Sequence, residues 1–68
     1  MSSAPIQRML AVDFGDARTG LAATDWTGSI VVPLPRLESR DEAAVVAAIA
    51  ALVQERQTQL VVLGMPLT

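Results

Sequence analysis

The stretch from Met9 to Gly20, MLAVDFGDARTG, constrains the fold more than any other part of the sequence. It begins as an alternating strand, and one face of that strand carries three apolar residues, Leu10, Val12 and Phe14. The other face ends at Asp13, and a polar turn from Gly15 to Arg18 follows. An aspartate in an apolar strand is costly to bury unless it is paired or binds a metal ion. Asp13 is therefore the first candidate for a catalytic or metal-binding residue.

The residue types that are missing narrow the chemistry. The chain has 68 residues, with no cysteine and no histidine. Disulfides, thiolate metal sites and Ser-His or Cys-His pairs are excluded within it. Any metal ligands must be carboxylate, backbone or water oxygens, which suit Mg²⁺ or Mn²⁺ better than zinc. A chain of this length buries only about 60% of its unfolded surface, so it forms one small domain or part of a larger one.

The charge and hydropathy patterns bear on partners and location. The formal net charge is −2, so the surface does not attract phosphate backbones over long range. No run of about eighteen apolar residues is present, so no membrane partner is expected. The first residues, MSSAPIQR, do not resemble a signal peptide, and residues 1–7 are expected to form a flexible tail. These patterns predict a cytoplasmic protein.

Three strands are predicted before residue 35, joined by turns of about four residues into an antiparallel meander. They span Ile6 or Arg8 to Phe14, Thr19 to Thr24 and Ser29 to Leu34. Because Pro33 and Pro35 have no backbone N–H, the third strand should lie at a sheet edge.

A helix and a fourth strand follow. Ser39 and Glu42 form a capping-box pattern, and the alanine-rich segment from Arg40 to about Arg56 favours a helix. Its predicted core face consists of apolar residues at helical spacing: Val45, Ile49, Leu52 and Val53. The apolar run from Leu60 to Leu63 is typical of a strand covered on both faces.

The order of elements predicts an α/β fold. A strand, crossover helix and strand make the fourth strand parallel to an earlier one, and pairing with the first gives sheet order 3-2-1-4. The carboxyl ends of strands one and four then adjoin, which places Asp13 beside the Gly64-Met65-Pro66 segment. One helix leaves a sheet face bare, and the outer edge of the fourth strand is unpaired. Residues 8–68 are therefore predicted to be the N-terminal half of an incomplete domain.

The sequence from about Arg8 to Thr68 resembles the opening part of the YqgF family. The resemblance rests on Leu10-Ala11-Val12-Asp13-Phe14-Gly15 with Arg18-x-Gly20, on Asp25, on Pro33-Leu34 and on Gly64-Met65-Pro66-Leu67. This family comprises RNase H-like proteins described as Holliday-junction resolvases and as nucleases that trim the precursor of small-subunit ribosomal RNA. The resemblance therefore implies an RNase H-like fold and a metal-dependent nuclease acting on structured RNA or branched DNA.

The resemblance also implies roles for single residues. Asp13 would be a catalytic carboxylate that binds Mg²⁺ or Mn²⁺. Arg18 would face the nucleic-acid backbone or brace the acidic cluster. The residues expected to shape the site are Gly15, Gly20, Gly64 and Pro66. The family's further acidic residues lie beyond the fourth strand. Because two-metal hydrolysis needs several carboxylates, these 68 residues alone are expected to be inactive.

Other interpretations stay open for the same residues. Asp13 and Asp16 are also common turn residues, Arg18 is also an ordinary turn-edge cation, and Asp25 fits an Asx-type turn with Gly28. Trp26 either stacks on a base or covers apolar surface. Two further functions are considered for the chain: a nucleotide-binding half-domain of the actin-like ATPase type, and a non-catalytic fragment that self-associates, as a homodimer or edge to edge.

Overall fold

The computed structural model describes residues 8–25 and 27–64. They form a four-stranded mixed sheet with one helix on one face. In chain order the elements are β1 (Met9–Phe14), β2 (Thr19–Thr24), β3 (Val31–Leu37), α1 (Glu42–Arg56) and β4 (Leu60–Gly64). The predicted flexible tail, residues 1–7, and the predicted site residue Pro66 lie outside the described residues, as does Trp26.

The sheet order is β3-β2-β1-β4, as predicted. β1 pairs antiparallel with β2 and parallel with β4, and β2 pairs antiparallel with β3. Both central strands carry alternating residues whose inner side chains meet α1. The predicted α/β class, meander and crossover are therefore confirmed, and the arrangement agrees with the RNase H-like fold.

The core lies between α1 and the two central strands. Four buried residues form it: Leu10, Val12, Leu21 and Ala23. The predicted helix face packs onto this cluster, with Val45 buried and Ile49, Leu52 and Val53 partly buried. Full burial of an apolar side chain of this size contributes about 1.5–3 kcal/mol, and each partly buried side chain contributes less. Together these contacts hold α1 on the sheet.

The helix begins later than predicted. Asp41 is its N-cap, because its Oδ1 accepts a hydrogen bond from the Ala43 N–H at 3.1 Å. The predicted cap Ser39 instead accepts a hydrogen bond from the Asp41 N–H, so the Ser39–Glu42 capping box is wrong. Asp41 is itself a favoured cap residue, and its own side chain satisfies a free N–H of the first turn. The helix ends at Arg56 because Gln57 has a left-handed backbone, with φ of 53°.

β3 is shifted toward the C-terminus relative to the predicted 29–34. The preceding turn takes up Ser29 and Ile30, and the strand continues past both prolines to Leu37. β3 is an outer strand, as predicted. Pro33 and Pro35 have no backbone N–H, and an outer strand tolerates missing donors because only one of its edges is paired.

β4 is not covered on both faces by the described residues, so that prediction is wrong for this part of the chain. Leu60, Val61, Val62 and Leu63 are 39–60% exposed. The reason is that β4 is an outer strand, whereas α1 packs against the core of β1 and β2. Within residues 8–25 and 27–64, no helix is long and apolar enough to cross a membrane.

Candidate active site

Asp13 lies on the sheet face that α1 does not cover. The neighbouring Val12 is 1% exposed on the helix side, whereas Asp13 itself is exposed. The described residues therefore do not bury Asp13, and its carboxylate carries no burial cost that a partner would have to offset. Among the described residues, its carboxylate makes neither a hydrogen bond nor an ion pair. Both of its oxygens are available to a ligand from solvent.

Glycines flank Asp13 on both neighbouring strands. Asp13 is in register with Gly20 on β2 and with Gly64 on β4. A Cβ atom at Gly20 would lie 3.7 Å from the Asp13 Cβ, and one at Gly64 would lie 3.9 Å from it. These are ordinary contact distances, so packing of the described residues does not demand glycine at either position. What the two glycines do is leave open space on both sides of the Asp13 carboxylate.

Gly15 has a different role, in the turn between β1 and β2. A Cβ atom at Gly15 would lie 2.5 Å from the backbone oxygen of Arg18, so the turn in this form requires glycine. The backbone reverses direction sharply at this point, and Arg18 follows directly after the bend. Gly15 is therefore needed for the backbone form of the turn that leads to Arg18.

Asp13 and Arg18, the two residues predicted to meet the substrate, line the same cleft. The cleft has a volume of about 470 Å³, and its other lining residues are Phe14, Gly15, Asp16, Gly20 and Arg36. It opens on the carboxyl end of β1, the position at which open α/β sheets bind ligands. Asp16 and Arg18 are both exposed, and neither has a hydrogen bond or ion pair within the described part of the chain.

Arg36 is the cleft residue that sequence reasoning missed. The predicted third strand ended at Leu34, so Arg36 was placed in a loop and could not be assigned to a face of the sheet. The signal that could have identified it is the spacing of Leu34 and Leu37, two apolar residues three apart in a strand. Such spacing breaks strict alternation and indicates a β-bulge.

A shallower depression continues from Asp13 across the bare sheet face. It has a volume of about 250 Å³, and small side chains form much of it: Ala11, Gly20, Ala22 and Gly64, with Val62 at one side. A third concavity, of about 480 Å³, lies on the helix side, where Phe14 and Asp16 face Ser39, Arg40 and Glu42. Phe14 lies on the predicted core face and lines this concavity, and it is 42% exposed.

Asp25 belongs to a turn and not to the cleft. It follows β2 at the end opposite Gly20, and its Oδ1 accepts hydrogen bonds from Thr27 Oγ1 at 2.7 Å and from the Thr27 N–H at 3.2 Å. The Ser29 and Ile30 N–H groups also donate to it, at 3.3 and 3.4 Å. The Thr27 hydroxyl, followed by these backbone donors, lowers the pKa of Asp25 below its ordinary value of 3.8. The Asx-turn interpretation is confirmed, and Gly28 completes the turn with φ of 77°.

Asp13 fits as one ligand of a hard divalent cation, because it offers unpartnered carboxylate oxygens. Among the described residues there is no group of three carboxylate, histidine or cysteine side chains that could hold a metal ion. Asp13 and Asp16 are the two carboxylates in the cleft. Residues 8–25 and 27–64 therefore do not contain a complete set of side-chain ligands for a metal ion.

The sheet order, the parallel β1–β4 pair and the carboxylate at the end of β1 define an RNase H-like α/β protein. The family described as RuvX, Holliday junction resolvase, matches residues 7–68. This chain belongs to that family, which is the YqgF family that its sequence resembles.

Curated relatives from several bacteria are similar over nearly the whole chain. A Synechococcus elongatus protein is 42% identical over 62 residues, a Chloroflexus aurantiacus protein is 40% identical over 62 residues, and a Streptomyces avermitilis protein is 42% identical over 59 residues. These alignments cover 91%, 91% and 87% of this chain and 42%, 40% and 38% of the relatives. Each relative is named "Putative pre-16S rRNA nuclease". The chain thus spans about two fifths of their length.

Proposed function

We propose that this chain supplies the catalytic aspartate of a metal-dependent nuclease that hydrolyses phosphodiester bonds in structured nucleic acid. The observation that carries the proposal is Asp13, exposed at the end of a central strand, open on both flanks and sharing a cleft with Arg18. The names of the relatives favour a ribosomal RNA precursor as substrate, and the family description favours a four-way DNA junction. A cytoplasmic location belongs to the same proposal, because bacterial ribosomal RNA precursors are processed there.

The proposed roles follow from charge and position. Asp13 acts as one ligand of Mg²⁺ or Mn²⁺, and such an ion, when bound, activates a water molecule and neutralises charge at the scissile phosphate. Arg18 offers a planar guanidinium that can donate two hydrogen bonds to phosphate oxygens. The described residues bring too few carboxylates for two-metal hydrolysis, so we expect the 68-residue chain alone to be inactive. Membership in a family of nucleases and resolvases favours the nuclease function over the nucleotide-binding alternative.

The test compares two proteins. One is the 68-residue chain, and the other is an extended protein in which this chain is followed by the part of the Synechococcus elongatus relative that lies C-terminal to the aligned segment. Each is incubated with a structured RNA and with a four-way DNA junction, in Mg²⁺ and in Mn²⁺. We expect cleavage by the extended protein alone and a loss of at least about a hundredfold in Asp13→Asn, the order of loss when a key charge-stabilising group is removed.

Asp16→Asn is the matched control, because it makes the same chemical change in the same cleft. If Asp16 is a solvated turn residue, this variant keeps its activity. Equal activity in the extended protein and its Asp13→Asn variant would contradict the proposal, as would the absence of cleavage on both substrates. Loss of activity in Asp16→Asn as well would instead assign a ligand role to Asp16.

A further inference from the structure

We propose that Arg36 is a substrate-binding residue that pairs with Arg18 to hold a nucleic-acid phosphate beside Asp13. This inference deepens the proposed nuclease function and rests on it. Arg36 lines the cleft with Asp13 and Arg18, although it lies on β3, two strands from β1. Its guanidinium makes no hydrogen bond or ion pair with the residues that the structure describes.

A β-bulge places Arg36 on the Asp13 face of the sheet. Leu21 is in register with Leu34 and Thr19 with Leu37, so Gly20 on β2 stands opposite both Pro35 and Arg36. Without the extra residue, strict alternation would put Arg36 on the same face as Leu34, toward the core. With it, Leu34 and Leu37 both pack on the core, and Arg36 is released to the opposite face. Bulges beside active sites commonly redirect a side chain in this way.

The missing side chain of Gly20 keeps the path between Arg36 and Asp13 open. Gly20 lies between them in the sheet, in register with Asp13 on one side and opposite the bulge on the other. A larger residue on this face would stand between the guanidinium and the carboxylate. The bulge and the glycine therefore act together to form one cleft from three strands.

A second cation balances the two carboxylates of the cleft. Asp13 and Asp16 contribute two negative charges, so Arg18 alone would leave the cleft negative and repel a phosphate. Arg36 makes the two signs equal before any metal ion is bound. The chain as a whole carries a net charge of −2, so attraction of a phosphate must come from local groups such as these. Two arginines can also hold phosphate oxygens with directed hydrogen bonds.

Affinity as a function of salt tests this role. Binding of a labelled RNA hairpin is measured with the extended protein in the Asp13→Asn background, which prevents cleavage, at several salt concentrations and constant Mg²⁺. Arg36→Gln is compared with Arg36→Lys and with Arg56→Gln, which removes the same charge from the far end of α1. We expect Arg36→Gln to weaken binding about tenfold, the order for one charge-assisted hydrogen bond. The slope of log K against log salt should fall in magnitude by about 0.7–0.9, as for one lost phosphate contact.

The outcomes separate this inference from the function on which it rests. Arg36→Lys should restore the salt slope but only part of the affinity. The melting temperatures of the Arg36 variants should be unchanged, whereas a merely structural role of Arg36 would lower them. If Arg36→Gln binds with the same affinity and slope as Arg56→Gln, the role of Arg36 is wrong, while Asp13-dependent cleavage still stands. If the protein does not bind RNA but cleaves a DNA junction, the same Arg36 and Arg56 variants are compared for binding to the junction, and that comparison decides whether Arg36 binds the substrate. Absence of both binding and cleavage contradicts the proposed function itself.

Discussion

The turn that follows β1 brings the backbone oxygen of Arg18 close to the position that a Cβ atom of residue 15 would occupy. Replacing Gly15 by alanine would put its Cβ 2.5 Å from the Arg18 backbone oxygen, so the backbone must move. We expect Gly15→Ala in the extended protein to lower the free energy of unfolding by about 1–3 kcal/mol, the usual cost of overpacking. Urea denaturation followed by circular dichroism measures this change.

Gly20→Ala is the matched control for that prediction. Its Cβ would lie 3.7 Å from the Asp13 Cβ, an ordinary contact, and alanine restricts the unfolded chain more than glycine does. The free energy of unfolding of Gly20→Ala should therefore change by less than about 1 kcal/mol. A loss for Gly15→Ala no larger than that for Gly20→Ala would show that the close approach does not constrain the turn.

At the residue scale, the sequence was enough to propose Asp13 as a candidate, but not to predict its surroundings. Asp13 stands out because it lies near the end of an apolar strand, two residues before Gly15. Its exposure depends on which sheet face α1 covers, and that follows from the crossover rather than from the local sequence. Arg36 was missed because a bulge inverts the alternation that assigns side chains to faces. Bulges arise from pairing between strands, which a single strand does not reveal.

At the element scale, the turn between β2 and β3 is organised by one carboxylate. Asp25 accepts hydrogen bonds from Thr27, Ser29 and Ile30, and its own N–H donates to the Ile30 carbonyl at 2.8 Å. The pKa of Asp25 is lower in the folded than in the unfolded chain. At pH values between these two pKa values, the unfolded state therefore binds more protons than the folded state. The stability contributed by this turn is therefore present above pH 3.8 and lost as the pH falls through the lower, folded pKa.

The measurement is the free energy of unfolding of the extended protein from neutral pH to below pH 3.8, for the unmodified sequence and for Asp25→Asn. Asparagine keeps an acceptor oxygen but does not titrate, so Asp25→Asn should be less stable at neutral pH and should lose less stability on acidification. Asp16→Asn removes an exposed carboxylate from the other turn and serves as control. Parallel pH curves for the unmodified protein and Asp25→Asn would contradict the prediction.

The elements themselves were largely predictable, with errors at their ends. Periodicity identified the strands and the helix, whereas local hydrogen bonds decided where they begin. Ser39 and Asp41 are both good caps, and the choice between them depends on where the chain leaves β3. Local hydrogen bonds also decide where β3 begins. The Asp25 N–H donates to the Ile30 carbonyl, so Ile30 belongs to the turn and β3 begins at Val31 instead of the predicted Ser29.

At the scale of the whole molecule, the topology followed from the order of elements, but the covering of the sheet did not. An unbroken apolar run such as Leu60–Leu63 indicates a buried strand, yet the described residues leave it exposed. One helix of fifteen residues covers the central strands on a single face. Apolar surface therefore remains on β4 and on the bare face, and such surface favours association.

We expect the 68-residue chain alone to self-associate through β4. Val62 is in register with Ala11 on the bare face and is 46% exposed. Val62→Lys would therefore put a charge among apolar groups on β4, whose outer edge pairs with none of the described strands. The dissociation constant measured by sedimentation should rise about tenfold, which corresponds to roughly 1.4 kcal/mol. Val46→Lys is the matched control, because Val46 is 59% exposed on α1, away from β4. Equal weakening by both substitutions would indicate non-specific association, and a monomeric unmodified chain would contradict self-association altogether.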